Sequence, residues 1–362
     1  MPKADDSNIL RLAALLLIGL LTVYIMTEAQ LILLPLAWAL FLSLLILPVT
    51  KWLEEKKVPR PAAIISVLVI VTALIGLVLY ILSFQIIGLL RDAPAVTDKL
   101  NDWILSLQET GEEVFGVTNE AIAQQISSSL SGIINNSLVM LQNSLFSAFQ
   151  TITLITIVPL YIFFMLYYRD LFYEGFLGLA KKYRTKTSDI ISKVNKVVQQ
   201  YMAGLMAVTV IIGILFYITL TLLGINYALF FAVLLAFFNL VPYIGVIIAS
   251  LAVILYTIAT TDSLFYPIAV LAALWFIQLV ENNLITPYIL GSQVRLNPMV
   301  ALIAIFIGGS IWEVSGMILF IPLLGALKVV FAEFDKLKPI ALLLGDYRTQ
   351  QEMNEEEASK EN

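Results

Sequence analysis

Apolar runs recur along the whole chain, at about residues 9–27, 31–50, 61–90, 145–168, 201–223, 227–260, 264–285 and 298–332. A helix needs about 20 residues to cross the ~30 Å hydrocarbon core of a bilayer, and a water-soluble fold could not bury this many such runs. Hydrophobic residues make up 60% of the chain and charged residues 13%, whereas soluble domains are about half apolar and a quarter charged. The expected fold is therefore an all-α polytopic membrane protein with about eight transmembrane segments. The first run, LAALLLIGLLTVYIM after Lys3 and Arg11, is long for a signal sequence and has no A-x-A-like site behind it. It reads as a retained first span.

Length separates the runs into two kinds. The first five and the seventh suit single spans, whereas 227–260 and 298–332 are too long for one crossing. Each long run is interrupted, at NLVPYIG (Asn239–Gly245) and at GGSIWEVSG (Gly308–Gly316). Their leading arms, 227–240 and 299–312, would rise only ~21 Å as helices, so each run is expected to form a broken, re-entrant helical hairpin. A span followed by a hairpin occurs twice, in opposite senses, which suggests an inverted repeat of the kind that builds transporters.

Basic residues set the orientation. Lys51, Lys56, Lys57 and Arg60 place the loop after the second span in the cytoplasm, and Arg169, Lys181, Lys182, Arg184, Lys186, Lys193 and Lys196 do the same after the fourth. The intervening 91–144, with Asp92, Asp98, Asp102, Glu109, Glu112, Glu113 and Glu120, is expected outside. It carries helical apolar spacing at Val96, Leu100, Trp103, Ile104 and Leu107, and again from Ile122 to Leu141. The second series is expected to run into the fourth span as one long helix. The organisation expected is spans 1–3 in 1–90, an extracytoplasmic helical segment in 91–144, span 4 in 145–168, a cytoplasmic amphipathic segment in 169–200 and a transport core in 201–335. A polar tail, 336–362, is expected to be disordered, and both termini are expected in the cytoplasm. The amphipathic segment has a stripe at Ile190, Val194, Val197, Val198 and Tyr201 suited to the membrane interface.

Chemistry is narrowed by what is missing. The chain has no cysteine and no histidine, which excludes disulfides, thiolate nucleophiles, Cys- or His-based metal sites and Ser–His triads. HExxH, GxSxG and Walker A motifs are absent, as is an intramembrane pair of aspartates. Neither enzyme activity nor a cofactor or metal is expected, and no basic patch interleaved with aromatics suggests nucleic acid.

The candidate pathway residues are polar groups at membrane depth, with Tyr201 and Asn297 counted among them beside those discussed next. In QLVENNLITPYILG, the run 264–277 is too short to cross alone, so Gln278, Glu281 and Asn282 must lie inside the membrane, on its cytoplasmic side. At i, i+3 and i+4 they share one face of an α-helix. A charge there costs about 2.5–3.5 kcal/mol near a span centre, so the face either lines a solute or ion path or glues helices together. At the first interruption Pro242 frees a carbonyl, and Asn239 and Tyr243 flank the break. In SQVRLNP, Arg295 is either a positive-inside anchor or a partner for an anionic solute or for Glu281. Glu313 is either an outer-interface residue or, like Glu281, a proton carrier.

Taken in order, Tyr201-Met-Ala-Gly204, LLGINYAL, VPYIG, QLVENNLITPYILG, VRLNP and WEVSGMILFIP resemble the autoinducer-2 exporter-like family of bacterial permeases. The resemblance covers about Gln199 to Leu327. It implies an oligomeric inner-membrane transporter in contact with lipid, exporting a small polar solute such as the autoinducer-2 signal. Sodium/proton antiport is the alternative within the same family, and an oligomeric non-transporting interaction or sensory protein is the alternative outside it. Asn297 stands where many members carry His before Pro298, and Glu313 stands where Gly is frequent. The first departure argues against His-dependent proton coupling, and the second adds a carboxylate.

Overall fold

The computed structural model describes residues 4–115, 148–241, 244–290 and 296–345. All eight apolar runs are helical where described, and among the described residues there are no strands, only one antiparallel bridge between Leu296 and Gly345. Among the described residues five helices are long and apolar enough to cross a membrane: Gln30–Glu55, Arg60–Asp92, Lys181–Leu222, Phe265–Leu290 and Pro298–Ala332. Four shorter apolar helices accompany them. Large hydrophobic side chains lie exposed around α1 (Ala4–Glu28) and the membrane part of α3 (Arg60–Phe115), as expected of helices whose solvent is lipid.

The chain forms two compact units, one from Met1–Leu68, Thr153–Gly204 and Ser292–Asn362, the other from Val69–Ile152 and Leu205–Gly291. Residues 205–291 of the expected transport core thus belong to the second unit, and 292–335 to the first.

In the first unit, α1 passes into α2 (Gln30–Glu55) through the single residue Ala29. α2 packs Phe41 against Val198 and Met202 of α6 (Arg184–Leu222) and against Trp312 and Phe320 of α11 (Pro298–Ala332). A smaller cluster joins Ala39, Ile64, Ile162 and Leu166, the last two from α4 (Ala148–Tyr167). α5 (Arg169–Leu179) begins after Tyr168 alone. Arg169 binds the Glu54 carboxylate through both terminal nitrogens, at 3.0 and 2.5 Å, and Arg60 binds Asp170 at 2.6 Å.

α11 is not one straight helix. Trp312 (φ −132°, ψ 26°) and Glu313 (φ 52°, ψ −137°) break it, and the Trp312 indole donates to the Met26 carbonyl at 2.9 Å. The arms before and after the break lie against each other: a Cβ on Gly316 would sit 1.9 Å from the Gly308 carbonyl oxygen. Only residues without a side chain permit that approach.

The second unit repeats the device at the other interruption. α7 (Ala228–Phe238) and α8 (Ile244–Thr260) meet where a Cβ on Gly245 would fall 1.9 Å from the Phe238 carbonyl oxygen. Leu235, Val253, Phe216 and Val270 are fully buried beside them, the last on α9 (Phe265–Val280). The start of α7 is held by α3: the Phe230 N–H donates to Gln85 Oε1 at 2.8 Å, and the Tyr227 hydroxyl donates to Asp92 at 2.7 Å.

Two helices run past the expected ends of membrane segments, and one helix forms where disorder was expected. α3 runs unbroken for 56 residues, about 84 Å, so the third span and the outer segment are one helix as far as Phe115. α6 likewise joins the amphipathic stripe to the fifth span without a break. Within the segment expected to be a disordered tail, α12 (Lys338–Leu344) forms and buries Ala341. The apolar series from Ile122 to Leu141 and the tail beyond Gly345 lie outside the described residues.

Candidate functional site

α9 buries Pro267, Val270, Leu274 and Ile277, a 3–4–3 spacing that fixes one face of the helix inward. Had the helix continued regularly, Gln278, Glu281 and Asn282 would have extended that face. Instead the next turn, Glu281–Ile285, is a π-turn in which the Thr286 N–H reaches the Glu281 carbonyl, and the short α10 (Thr286–Leu290) follows it. Pro287 supplies a reason. It has no N–H for the Asn283 carbonyl, and its ring crowds that carbonyl, so the wider turn relieves both problems. The Asn283 side chain donates to the Leu279 carbonyl at 2.8 Å.

The π-turn decides which side chains meet. In a regular α-helix a residue five positions on points about 140° away, but here Thr286 lies over Glu281. Its hydroxyl donates to Glu281 Oε1 at 3.0 Å. Asn239, at the C-terminus of α7, donates its amide to the same oxygen at 3.2 Å. Gln278 donates to Oε2. Glu281 is 7% exposed, and its three partners among the described residues are all neutral donors. A buried carboxylate needs such partners, because its charge is otherwise very costly at membrane depth. Gln278 Oε1 is also buried, and it has no partner among the described residues.

Of the residues singled out from the sequence, Gln278, Glu281 and Asn239 are brought together. Asn282 is not among them; it is exposed. Thr286 was missed because α-helical spacing gives it no place there, and Pro287 was the only sequence signal for it. Tyr201, Asn297 and Glu313 belong to the first unit. Tyr201 is half-buried against the Phe41–Trp312 cluster. Asn297 caps α11, its side chain accepting from the Met299 N–H at 3.0 Å while its own N–H donates to the Leu344 carbonyl at 2.9 Å. Glu313 is exposed at the α11 break. Pro242, Tyr243 and Arg295 lie outside the described residues.

Chemically the cluster offers a buried carboxylate and an unfilled amide acceptor. Both favour a cation, a proton or the hydroxyl and amine donors of a small polar molecule. Among the described residues no three His, Cys, Asp or Glu side chains gather as a metal site would require.

Comparison with known proteins agrees with a transport role. The profile of the AI-2E family transporter matches residues 12–336. YrrI of Bacillus subtilis (strain 168), which carries a transport-protein name, is 27% identical over 352 residues, covering 90% of this chain and 96% of its own length. The AI-2 transport protein TqsA of Escherichia coli (strain K12) is 23% identical over 325 residues, covering 87% and 90%. PerM of the same strain, a permease by name, is 24% identical over 251 residues, covering 68% and 70%. With its many apolar helices and a family match across nearly its whole length, this integral bacterial membrane protein belongs to the AI-2E transporter family.

Proposed function

We propose that the chain is a secondary transporter that exports a small hydrophilic solute across the bacterial inner membrane, with a molecule like the autoinducer-2 signal as the leading candidate. The observation that carries this reading is the Glu281 cluster. Among the described residues three neutral donors hold this carboxylate, expected at membrane depth, and one of them comes from the end of α7 beside the first interruption. Such a site can exchange its protein donors for those of a polar solute. TqsA's name supplies the solute to try first.

In this reading the two interrupted helices are re-entrant hairpins of an inverted repeat, the termini face the cytoplasm, and the protein works as a homo-oligomer. The chain contains no cysteine, so single cysteines report topology directly. Cysteines at positions 242 and 313 are expected to label from opposite sides of the membrane, and labelling from the same side rejects the inverted repeat.

Function is tested by reconstitution into proteoliposomes loaded with the candidate solute. Solute efflux without a pH gradient, lowered at least about tenfold by Glu281→Gln in protein of unchanged helicity, is the expected result. Proton flux that depends on sodium, with no solute efflux, replaces export by antiport. Absence of both in folded protein leaves the interaction or sensory role.

A further inference from the structure

The short helix α5 has a face the transport reading does not use. Leu171, Phe172, Phe176 and Leu179 form its exposed side, at 66%, 51%, 61% and 87% exposure, while Leu177 on the opposite side is 3% exposed. Added Cβ atoms at Gly175 and Gly178 would meet nothing within 4 Å. Eleven residues rise only about 16 Å, so α5 cannot cross a bilayer, and an exposed apolar face on so short a helix suits the boundary between headgroups and acyl chains.

The short turn after α5 and the start of α6 are basic. Lys181, Lys182, Arg184 and Lys186 are all exposed, with Tyr183 among them. The acids of α5 are already engaged: Asp170 with Arg60 at 2.6 Å, and Glu174 with Arg184 at 2.7 Å. Lys182 and Lys186 lie over the Tyr183 and Phe334 rings at 5.7 and 5.2 Å, contacts that leave ammonium hydrogens for other acceptors. Asp189, exposed one turn beyond Lys186, is the remaining acid of the segment. The start of α5 is pinned by the bidentate Arg169–Glu54 pair, so the apolar face and the lysines are held on one rigid corner of the first unit.

We propose that α5 and the Lys181–Lys186 segment form a binding site for anionic phospholipid headgroups, with Leu171, Phe172, Phe176 and Leu179 seated among the acyl chains and the lysines on the phosphates. Charge complementarity selects this occupant: a zwitterionic surface offers the apolar face the same partner but gives the lysines no net attraction. The site is independent of which solute is carried and in which direction.

The test uses the full chain purified with co-extracted lipid and exchanged into nanodiscs of phosphatidylcholine with or without phosphatidylglycerol. Native mass spectrometry reads which lipid stays bound. Wild type is expected to retain phosphatidylglycerol over phosphatidylcholine by at least about fivefold, and the Lys181→Gln, Lys182→Gln, Lys186→Gln variant is expected to lose that preference. Equal retention of the two lipids by wild type, or an unchanged preference in the variant, overturns the proposal. A second readout labels Phe176→Cys with an environment-sensitive fluorophore. Quenching by lipids labelled near the headgroup supports the site, and a fully aqueous signal overturns it. Neither readout involves flux, so the outcome is separable from the transport reading.

Discussion

Glu281 shows how much a single turn decides. Its pairing with Gln278 is visible from the i, i+3 spacing, whereas its pairing with Thr286 exists only because the turn between them is a π-turn. Replacing Thr286 by Val keeps the shape and removes one donor. The expected cost is about 1 kcal/mol of stability, read by thermal unfolding in detergent, with a lower rate of solute efflux. Asn239→Ala removes the donor that comes from α7 and is expected to act on efflux in the same direction. Glu313 is the opposite kind of residue. Its φ of 52° with ψ of −137° is a conformation suited to glycine. Glu313→Gly is expected to raise stability by about 1 kcal/mol. A lower thermal midpoint in that variant would mean the Glu313 side chain outweighs its backbone strain.

At the scale of the element, the two interrupted helices were legible as interruptions but not as contacts. Pro242, Gly245, Gly308 and Gly316 mark where an α-helix is weak, yet nothing in their order says which carbonyl each glycine meets. The structure pairs Gly316 with Gly308 and Gly245 with Phe238. Gly316→Ala and Gly245→Ala are therefore expected to destabilise by at least the 1–3 kcal/mol of an overpacked core, or to prevent correct folding. Gly76→Ala, in open space within α3, serves as the comparison and is expected to leave the unfolding midpoint unchanged or slightly raised. Charge and helix do not end together. Polarity rises after residue 90, which marks the end of the lipid contact, while the backbone of α3 continues to Phe115.

At the scale of the molecule, one end of the first unit is tied by charge. The hydrogen bond from Arg60, with the charges of Arg60, Arg169 and Lys51 behind it, holds the Asp170 carboxyl below its ordinary value and outweighs its slight burial. A lowered carboxylate contributes stability that is complete above the unfolded value, about 4, and that is lost as pH falls through the lowered folded value. Wild type and Asp170→Asn are thus expected to differ in thermal midpoint at neutral pH and to converge only in strong acid. The difference is expected to be small, because Asp170 is mostly exposed and water screens the pair.

The sequence alone determined the solvent of this protein. Hydropathy is a property of short segments, and eight apolar runs, their lengths and the placement of Lys and Arg required a helical membrane protein with two interrupted runs before any contact was known. The same locality made QLVENNLITPYILG stand out as a polar stretch at membrane depth. Tertiary structure decided which of its polar groups turn inward. Asn239 reaches Glu281 across 42 positions of chain, and Thr286 reaches it through a turn that packing and Pro287 select over the regular helix. Asn282, equally polar and one residue away, is left outside. A buried carboxylate needs donors from wherever the fold can bring them, and that geometry is not carried by any one segment.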